Sequence, residues 1–215
     1  MRIWNHLTRL YYPEARVARA IGGMPPATGV VLMYHEVLPD SVTAPAWTIV
    51  RESDFRWQME YLRRHFDVVT MDAALARITG EAAGQRPFAV VTFDDGCRGC
   101  LTTVLPIMQE LGLPFVQYVV TAATLTRSIH WFDRVINLLG QDRPLDLRLR
   151  GGGKQLRFRI PRAPLGELRW TEMQRLLEWL KSLDGAERDA LVATIDAQYG
   201  IAEGPVEVLS LRELQ

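Results

Sequence analysis

The sequence is poor in cysteine, in histidine and in long apolar runs. It holds two cysteines and four histidines in 215 residues, which is too little cysteine for a disulfide framework. A membrane-spanning helix needs about 18 uninterrupted apolar residues, and no stretch of this sequence is that long. Lys and Arg together number 25, as do Asp and Glu, so no overall charge attracts nucleic acid. We therefore expect no disulfide scaffold, no transmembrane segment and no nucleic-acid partner.

The rest of the composition is that of a folded protein, with 48% hydrophobic and 23% charged residues. Arginines are scattered among the apolar residues at the N-terminus, which lacks the separate basic and apolar regions of a secretory signal. We therefore expect a cytoplasmic protein. Residues 1–27 are predicted to form an N-terminal helical segment. Apolar residues recur in this segment at helical spacing (Ile3, Leu7, Leu10 and Tyr11). They favour a helix that packs on its own domain. The alternative is an interfacial helix in peripheral contact with a membrane.

Residues 28–127 alternate short apolar runs with segments of helical period, which is typical of βα units. The predicted strands are Gly29–Tyr34, Phe66–Thr70, Phe88–Phe93 and Phe115–Thr121. Helices are predicted from Ser53, from Asp72, and from about Leu101 to Leu111. Because the apolar runs are nearly continuous, the strands should be covered on both faces, as in a parallel sheet.

Residues 128–208 have a different pattern and are predicted to be an insertion. His130–Leu139 is typical of a helix, and two strictly alternating segments around residues 151–154 predict an antiparallel hairpin. Two helices follow, from about Thr171 to Leu183 and from Asp184 onwards. One hairpin face is apolar. The other carries arginines that are either solvated or bind the anionic groups of a glycan or lipid (Arg148, Arg150, Arg157 and Arg159).

The last residues, 209–215, carry a helix start signal. Ser210 and Glu213 have the spacing of a capping box, which normally opens a helix followed by an apolar run. No such run follows before Gln215, and a helix of one turn is unstable alone. This pattern predicts a helix that has been truncated.

Adjacent carboxylates at the end of a predicted buried strand are the sharpest chemical feature. Asp94 and Asp95 follow Phe88–Phe93 directly, and like charges near a low-dielectric core are unfavourable without partners. Such a pair can bind a divalent metal with one carboxylate and deprotonate a water with the other. The structural alternative is that one aspartate caps the following helix while the other is solvated.

Two other enzyme classes use residues of this kind. An aspartyl phosphotransferase needs D-x-D after the strand, whereas these acids are contiguous. Cys97 and Cys100 form a CxxC at a strand-to-helix junction, as in thiol redox proteins. The upstream carboxylates would disfavour a thiolate there. A structural zinc site needs four ligands, and the two cysteines supply two of them. We expect reduced, unreactive thiols, with redox chemistry as an alternative.

Several motifs resemble the polysaccharide deacetylase family, also called carbohydrate esterase family four or the NodB-homology domain. They are LMYHEV at Leu32–Val37, VVTFDDG at Val90–Gly96, LGLP at Leu111–Pro114, WFDRV at Trp131–Val135 and LSLREL at Leu209–Leu214. The resemblance implies an irregular (β/α) barrel that removes acetyl groups from N-acetylated carbohydrates. It implies that Asp94 is the general base and that Asp95 is a ligand of a divalent metal, with zinc expected. Tyr34, His35 and Gly96 are expected to line the same site, His35 because it ends the first predicted strand; the alternative is that His35 is a satisfied core histidine.

The sequence also departs from this family. Cys97 follows the FDDG motif, where the family has Tyr or another residue, and the H-x-x-x-H motif that supplies two metal ligands is absent. We therefore expect the isolated chain to bind metal weakly and to have little or no deacetylase activity. A second hypothesis is a non-catalytic domain that binds a glycan or a partner protein through its arginine face.

Overall fold

The computed structural model describes residues 14–42, 46, 48–141, 143–162, 167–200 and 204–215. The predicted N-terminal stripe of Ile3, Leu7, Leu10 and Tyr11 lies outside these residues. Within the described part of the chain, no helix is both long and apolar enough to cross a membrane.

Residues 14–126 alternate strands and helices, as the apolar runs predicted. In chain order the elements are α1 (Glu14–Gly22), β1 (Gly29–Tyr34), β2 (Glu36–Leu38), β3 (Ile49–Arg51), α2 (Glu52–His65), β4 (Asp67–Val68), α3 (Met71–Thr79), β5 (Phe88–Phe93), a π-helical turn (Cys100–Val104), α4 (Leu105–Leu111), β6 (Val116–Gln117) and α5 (Thr121–Thr126).

The main sheet is parallel and has β5 at its centre. β1 pairs with β5 along its whole length, from Gly29 opposite Phe88 to Tyr34 opposite Phe93. On the other side, β4 pairs with the start of β5 and β6 with its end. All residues of β5 are buried, which explains its uninterrupted apolar run. The predicted parallel core is confirmed, but the described strands form an open sheet rather than a closed barrel.

An aromatic cluster fixes the carboxyl end of β5 in the core. The Phe93 ring lies 5.3 Å from the Tyr34 ring, 5.7 Å from the Phe55 ring and 5.7 Å from the Phe115 ring, measured between centroids. Phe55 and Phe93 are fully buried. Aromatic pairs at this separation add to the stability gained from burial alone. This packing holds the backbone at Phe93 in place, and with it the start of the segment that follows β5.

Several predicted boundaries shift in the structure. The strand predicted over Phe66–Thr70 is reduced to β4, and the one over Phe115–Thr121 to β6, because each pairs with only one end of β5. The helix predicted from Asp72 begins one residue earlier, capped by the Thr70 hydroxyl.

The helix predicted over residues 101–111 ends at Gly112 as expected, with Gly112 in the left-handed conformation. It begins as a π-helical turn in which the Leu105 N–H donates to the Cys100 carbonyl. Pro106 has no N–H and its ring would crowd the carbonyl of the preceding turn. The wider π-helical turn accommodates the proline inside the helix.

Residues 131–199 form a second layer with its own apolar cluster. Its elements are α6 (Trp131–Gly140), β7 (Leu145–Gly151), β8 (Lys154–Ile160), α7 (Glu167–Lys181) and α8 (Gly185–Tyr199). The predicted hairpin is confirmed as antiparallel, and its apolar face is buried in this cluster. The Asp184 carboxylate accepts a hydrogen bond from the Glu187 N–H, which confirms the predicted cap of α8.

The predicted capping-box residues Ser210 and Glu213 contact each other through backbone and side-chain hydrogen bonds. The Glu213 carboxylate accepts hydrogen bonds from the Ser210 N–H and hydroxyl, at 2.9 Å and 2.7 Å. Residues 211–214 form turns instead of the predicted start of a helix. Glu213 also pairs with the Arg98 guanidinium at 2.8 Å, so this segment is tied to the residues that follow β5.

Candidate active site

Asp94 and His35 occupy equivalent positions at the ends of two neighbouring parallel strands. Asp94 follows β5 and His35 follows β1. The Asp94 N–H donates to the Tyr34 carbonyl at 2.9 Å, so the parallel ladder continues to the last residue of β1. The carboxyl ends of parallel strands are where α/β folds usually build their sites. The two predicted site residues are therefore brought to the same edge of the sheet.

The turn after β5 has an unusual backbone. Asp95 has a φ of 67° and Gly96 a φ of 70°, both in the left-handed region. This region suits glycine, and aspartate is among the few other residues that tolerate it. A non-glycine residue held there is strained, and such strain is concentrated at functional sites.

The segment after this turn is held from the opposite side by residues near the end of the chain. The Leu209 N–H donates to the Gly96 carbonyl and the Arg98 N–H to the Glu207 carbonyl, both at 2.8 Å. Cys97 forms an antiparallel bridge with Val208. The π-helical turn that follows begins at Cys100 and has no side-chain cap. Thus neither aspartate caps the next helix, which was the structural alternative.

Two histidines flank Asp95. The His35 Nε2 lies 3.8 Å from the Asp95 Oδ2, and both side chains are about one-quarter exposed or less, at 21% and 24%. The His130 Nε2 lies 3.3 Å from the Asp95 carbonyl oxygen, so a neutral imidazole protonated on Nε2 can donate to it. The His130 ring stacks on Phe132. His130 had not been predicted as a site residue, although it directly precedes the WFDRV motif.

Two buried carboxyl groups near the turn were also missed from the sequence. Glu36 is 2% exposed and Asp133 5% exposed. Burial raises the pKa of Glu36 to about 8. Burial, and then the charge of Asp95, raises the pKa of Asp133 to about 7. Within the described residues, one oxygen of each group has no hydrogen-bond partner. Both lie in motifs that carried the family resemblance, which was the only sequence signal for them.

Glu36 connects β2 to the segment after the aspartates. Its Oε1 accepts a hydrogen bond from the Val37 N–H at 2.9 Å, and its carboxylate also accepts one from the Gly99 N–H. A Cβ at Gly99 would lie 1.8 Å from the Glu36 Oε1. Gly99 is therefore required by the close approach of this carboxylate.

We predict that Glu36→Gln reduces the dependence of stability on pH. The pKa of Glu36 is higher in the folded state than in the unfolded chain, so the folded state binds more protons between about pH 5 and pH 8. The free energy of unfolding should therefore fall as the pH rises through this window, by about 1 kcal/mol per pH unit from this group.

Urea unfolding at a series of pH values measures this slope. The exposed Glu81 offers a matched control, because Glu81→Gln removes one carboxylate without changing a buried group. If wild type and Glu36→Gln have parallel pH profiles, Glu36 does not titrate as described.

The two cysteines are free and buried. Burial, followed by the neighbouring charges of Glu36 and Asp133, raises the pKa of the Cys97 thiol. Burial and the charge of Glu36 raise the pKa of the Cys100 thiol. Because redox chemistry requires an accessible thiolate, this environment disfavours the redox alternative.

Tyr34 departs from the prediction that it lines the site. Its hydroxyl donates to the Gln58 Oε1 at 2.7 Å, and its ring stacks on Phe93 inside the core. Burial raises its pKa to about 12. Successive strand residues face opposite sides, so Tyr34 and His35 point in different directions. Gly96 does lie in the site turn, where a Cβ would meet the Val119 side chain at 3.3 Å.

The described residues do not form a complete metal site. A catalytic zinc ion ordinarily has three protein ligands, and Asp95 with His35 supplies two. In the described ranges, no group of at least three His, Cys, Asp or Glu side chains could hold a metal ion. The expected zinc therefore does not fit these residues.

We predict weak zinc binding by the 215-residue chain for the same reason. Titration calorimetry with zinc or cobalt should show no stoichiometric binding at micromolar concentration. Asp95→Asn should give the same heats as wild type. Stoichiometric micromolar binding that Asp95→Asn abolishes would contradict this prediction.

The arginines expected to bind anions lie elsewhere in the fold. All are exposed on the outer face of the β7–β8 hairpin, not on the sheet that carries the aspartates (Arg148, Arg150, Arg157 and Arg159).

Comparisons with known proteins give matches among solved structures. A scan against models of protein families finds no match, and a search of curated proteins finds none. The chain is similar to IcaB from Ammonifex degensii, with 20% identity over 80% of this chain and 70% of that one and a TM-score of 0.42. It is similar to a de-N-acetylase from Aggregatibacter actinomycetemcomitans, with 17% identity over 83% and 76% of the two chains and a TM-score of 0.42.

A further match is the Streptococcus pyogenes deacetylase PplD, with 20% identity over 46% of this chain and a TM-score of 0.41. The aligned part spans 45% of PplD and 31% of the putative polysaccharide deacetylase BA0330 from Bacillus anthracis. PplD, BA0330 and the Aggregatibacter protein are described as deacetylases or as a de-N-acetylase.

Proposed function

We propose that this chain provides the general base of a hydrolase that removes N-acetyl groups from a carbohydrate. The observation that carries the proposal is the turn after β5. It holds Asp94 and Asp95 at the carboxyl edge of a parallel sheet, with Asp95 in a left-handed conformation and next to His35. The motifs that supply these residues are the ones that resemble the deacetylase family.

Asp94 is the base in this proposal. Its side chain is partly exposed, so water can reach it, while its backbone is anchored to β1 by the hydrogen bond to the Tyr34 carbonyl. A base must lie within hydrogen-bond reach of the proton it removes, and this anchoring limits its movement. Asp94 takes a proton from a water molecule as the water oxygen attacks the acetamide carbonyl carbon.

The resulting tetrahedral intermediate collapses by breaking the bond between carbon and nitrogen. The amine leaves with the proton that Asp94 removed from water, which restores the Asp94 carboxylate, and the products are acetate and a free amino sugar. Asp95 is the metal ligand implied by the resemblance. Asp95 and His35 supply two of the three protein ligands that a catalytic zinc ion ordinarily has.

The test is acetate release from N-acetylchito-oligosaccharides, with acetate and free amine measured in the same samples. We expect slow release of the two products in equal amounts, because the described donor set is incomplete. An O-acetylated xylan serves as a comparison for ester cleavage. Release of acetate from the ester alone, without free amine from the N-acetylchito-oligosaccharides, would overturn the proposed function.

A further inference from the structure

The outer face of the β7–β8 hairpin carries an excess of positive charge. Strand residues alternate between faces, and the inner face of the hairpin is buried against the helices of the second layer. The outer face is built from polar residues alone (Asp146, Arg148, Arg150, Gln155, Arg157 and Arg159). Four arginines against one aspartate give this face a net charge of +3.

The register places like charges next to each other. Arg148 lies directly opposite Arg157, while Arg159 lies opposite Asp146 and Arg150 opposite Gln155. Like charges that face each other across an antiparallel pair are destabilising. The pairing of Arg157 with Asp146 reduces this repulsion, and an anionic ligand that contacts Arg148 would reduce it further.

The single aspartate neutralises one of the four arginines. Both Asp146 oxygens accept hydrogen bonds from the Arg157 guanidinium, and the pKa of Asp146 is lowered chiefly by this contact. Among the described residues, no carboxylate lies within ion-pair distance of Arg148, Arg150 or Arg159. These three guanidinium groups keep their donors available to a ligand.

The spacing of the arginines suits a linear polymer of anions. Residues two apart on a strand are separated by about 7 Å, and directly opposed residues by about 5 Å. Guanidinium groups bind carboxylates, sulfates and phosphates through paired hydrogen bonds. The outer face has no apolar side chain to enter a bilayer and no aromatic ring to stack on bases. A membrane surface and single-stranded nucleic acid are therefore less suited to it.

We propose that the outer face of the β7–β8 hairpin binds a linear anionic polysaccharide. The choice of a carbohydrate among linear polyanions rests on the proposed function, while the requirement for negative charge rests on the arginines alone. Binding does not depend on Asp94, so it can be measured without turnover.

The test uses oligosaccharides of hyaluronan, in which N-acetylglucosamine alternates with a carboxylate sugar. N-acetylchito-oligosaccharides of similar length provide a neutral counterpart. Calorimetry should detect binding of the anionic oligosaccharide that weakens as salt is added, and much weaker binding of the neutral one. The double variant Arg148→Gln, Arg150→Gln should weaken binding about tenfold. Asp146→Asn should strengthen it, because this change releases the Arg157 guanidinium.

The exposed arginines at the end of α2 give a matched control. Arg63→Gln with Arg64→Gln removes the same charge from another surface and should leave binding unchanged. The proposal is overturned if both double variants weaken binding equally or if the hairpin variant has no effect. It is also overturned if a DNA duplex or phosphatidylglycerol vesicles bind more tightly than hyaluronan. Binding through the hairpin, together with acetate release from the O-acetylated xylan alone, would support this surface and contradict the proposed function.

Discussion

Gly99→Ala is expected to destabilise the protein by about 3 kcal/mol, which lowers the melting temperature by about 9 °C for a domain of this size. The added Cβ would lie 1.8 Å from the Glu36 Oε1 and 2.4 Å from the Val37 carbonyl oxygen. The carboxylate is buried and the carbonyl belongs to the backbone of β2, so neither can move away easily. The clash should separate β2 from the segment that follows the aspartates.

Gly22→Ala is the matched control for this variant. Gly22 is the last residue of α1, and an added Cβ there would meet no atom within 4 Å. Alanine also favours helix relative to glycine, so Gly22→Ala should leave the melting temperature unchanged or raise it slightly. Thermal unfolding followed by circular dichroism compares the two variants. Equal melting temperatures would contradict the close packing of Gly99 against Glu36.

The parallel core and the position of the aspartates could be predicted from local sequence. The apolar run of β5 is long enough to be recognised as a buried strand, and Asp94 follows it without an intervening residue. The hairpin could be predicted for a similar reason, since strict alternation around a glycine turn favours antiparallel pairing. These features depend on residues that are adjacent in the chain.

The buried carboxyl groups could not be predicted in this way. Whether Glu36 is exposed depends on the approach of Gly99, and the burial of Asp133 depends on how α6 packs beside the turn. Sequence spacing does not reveal such contacts between distant segments. Tyr34 is different, because the alternation of strand residues could have shown that it faces away from its neighbour His35.

The sequence predicts β4 and β6 to be longer than they are, because hydrophobic residues indicate that a segment is buried and not that it pairs with a neighbouring strand. Phe66 and Phe115 are buried or partly buried although they lie outside the residues that pair with β5. Beyond the other ends of β4 and β6, the Val69 and Tyr118 N–H groups each donate a single backbone hydrogen bond to β5. Apolar character therefore continued beyond the residues that pair.

Asp94→Asn is expected to reduce acetate release from N-acetylchito-oligosaccharides by about 100-fold or more, the usual contribution of a general base. Asparagine is nearly isosteric with aspartate but cannot accept a proton from water at neutral pH. The backbone hydrogen bond from residue 94 to the Tyr34 carbonyl does not involve the side chain. The variant should therefore fold normally, with an unchanged melting temperature.

Asp189→Asn controls for the loss of a carboxylate. Asp189 is exposed on α8, outside the sheet that carries Asp94, and its replacement should leave acetate release at the wild-type rate. Asp94→Glu keeps the carboxylate but lengthens the side chain. A partial rate in this variant would indicate that the position of the base matters as well as its chemistry.

The most direct test of the central claim is single-turnover acetate release by wild type and Asp94→Asn, measured side by side at equal protein concentration. We predict slow release with equimolar free amine in wild type and a signal close to the buffer blank in Asp94→Asn. Equal release by the two proteins, with both folded, would contradict the assignment of Asp94 as the base.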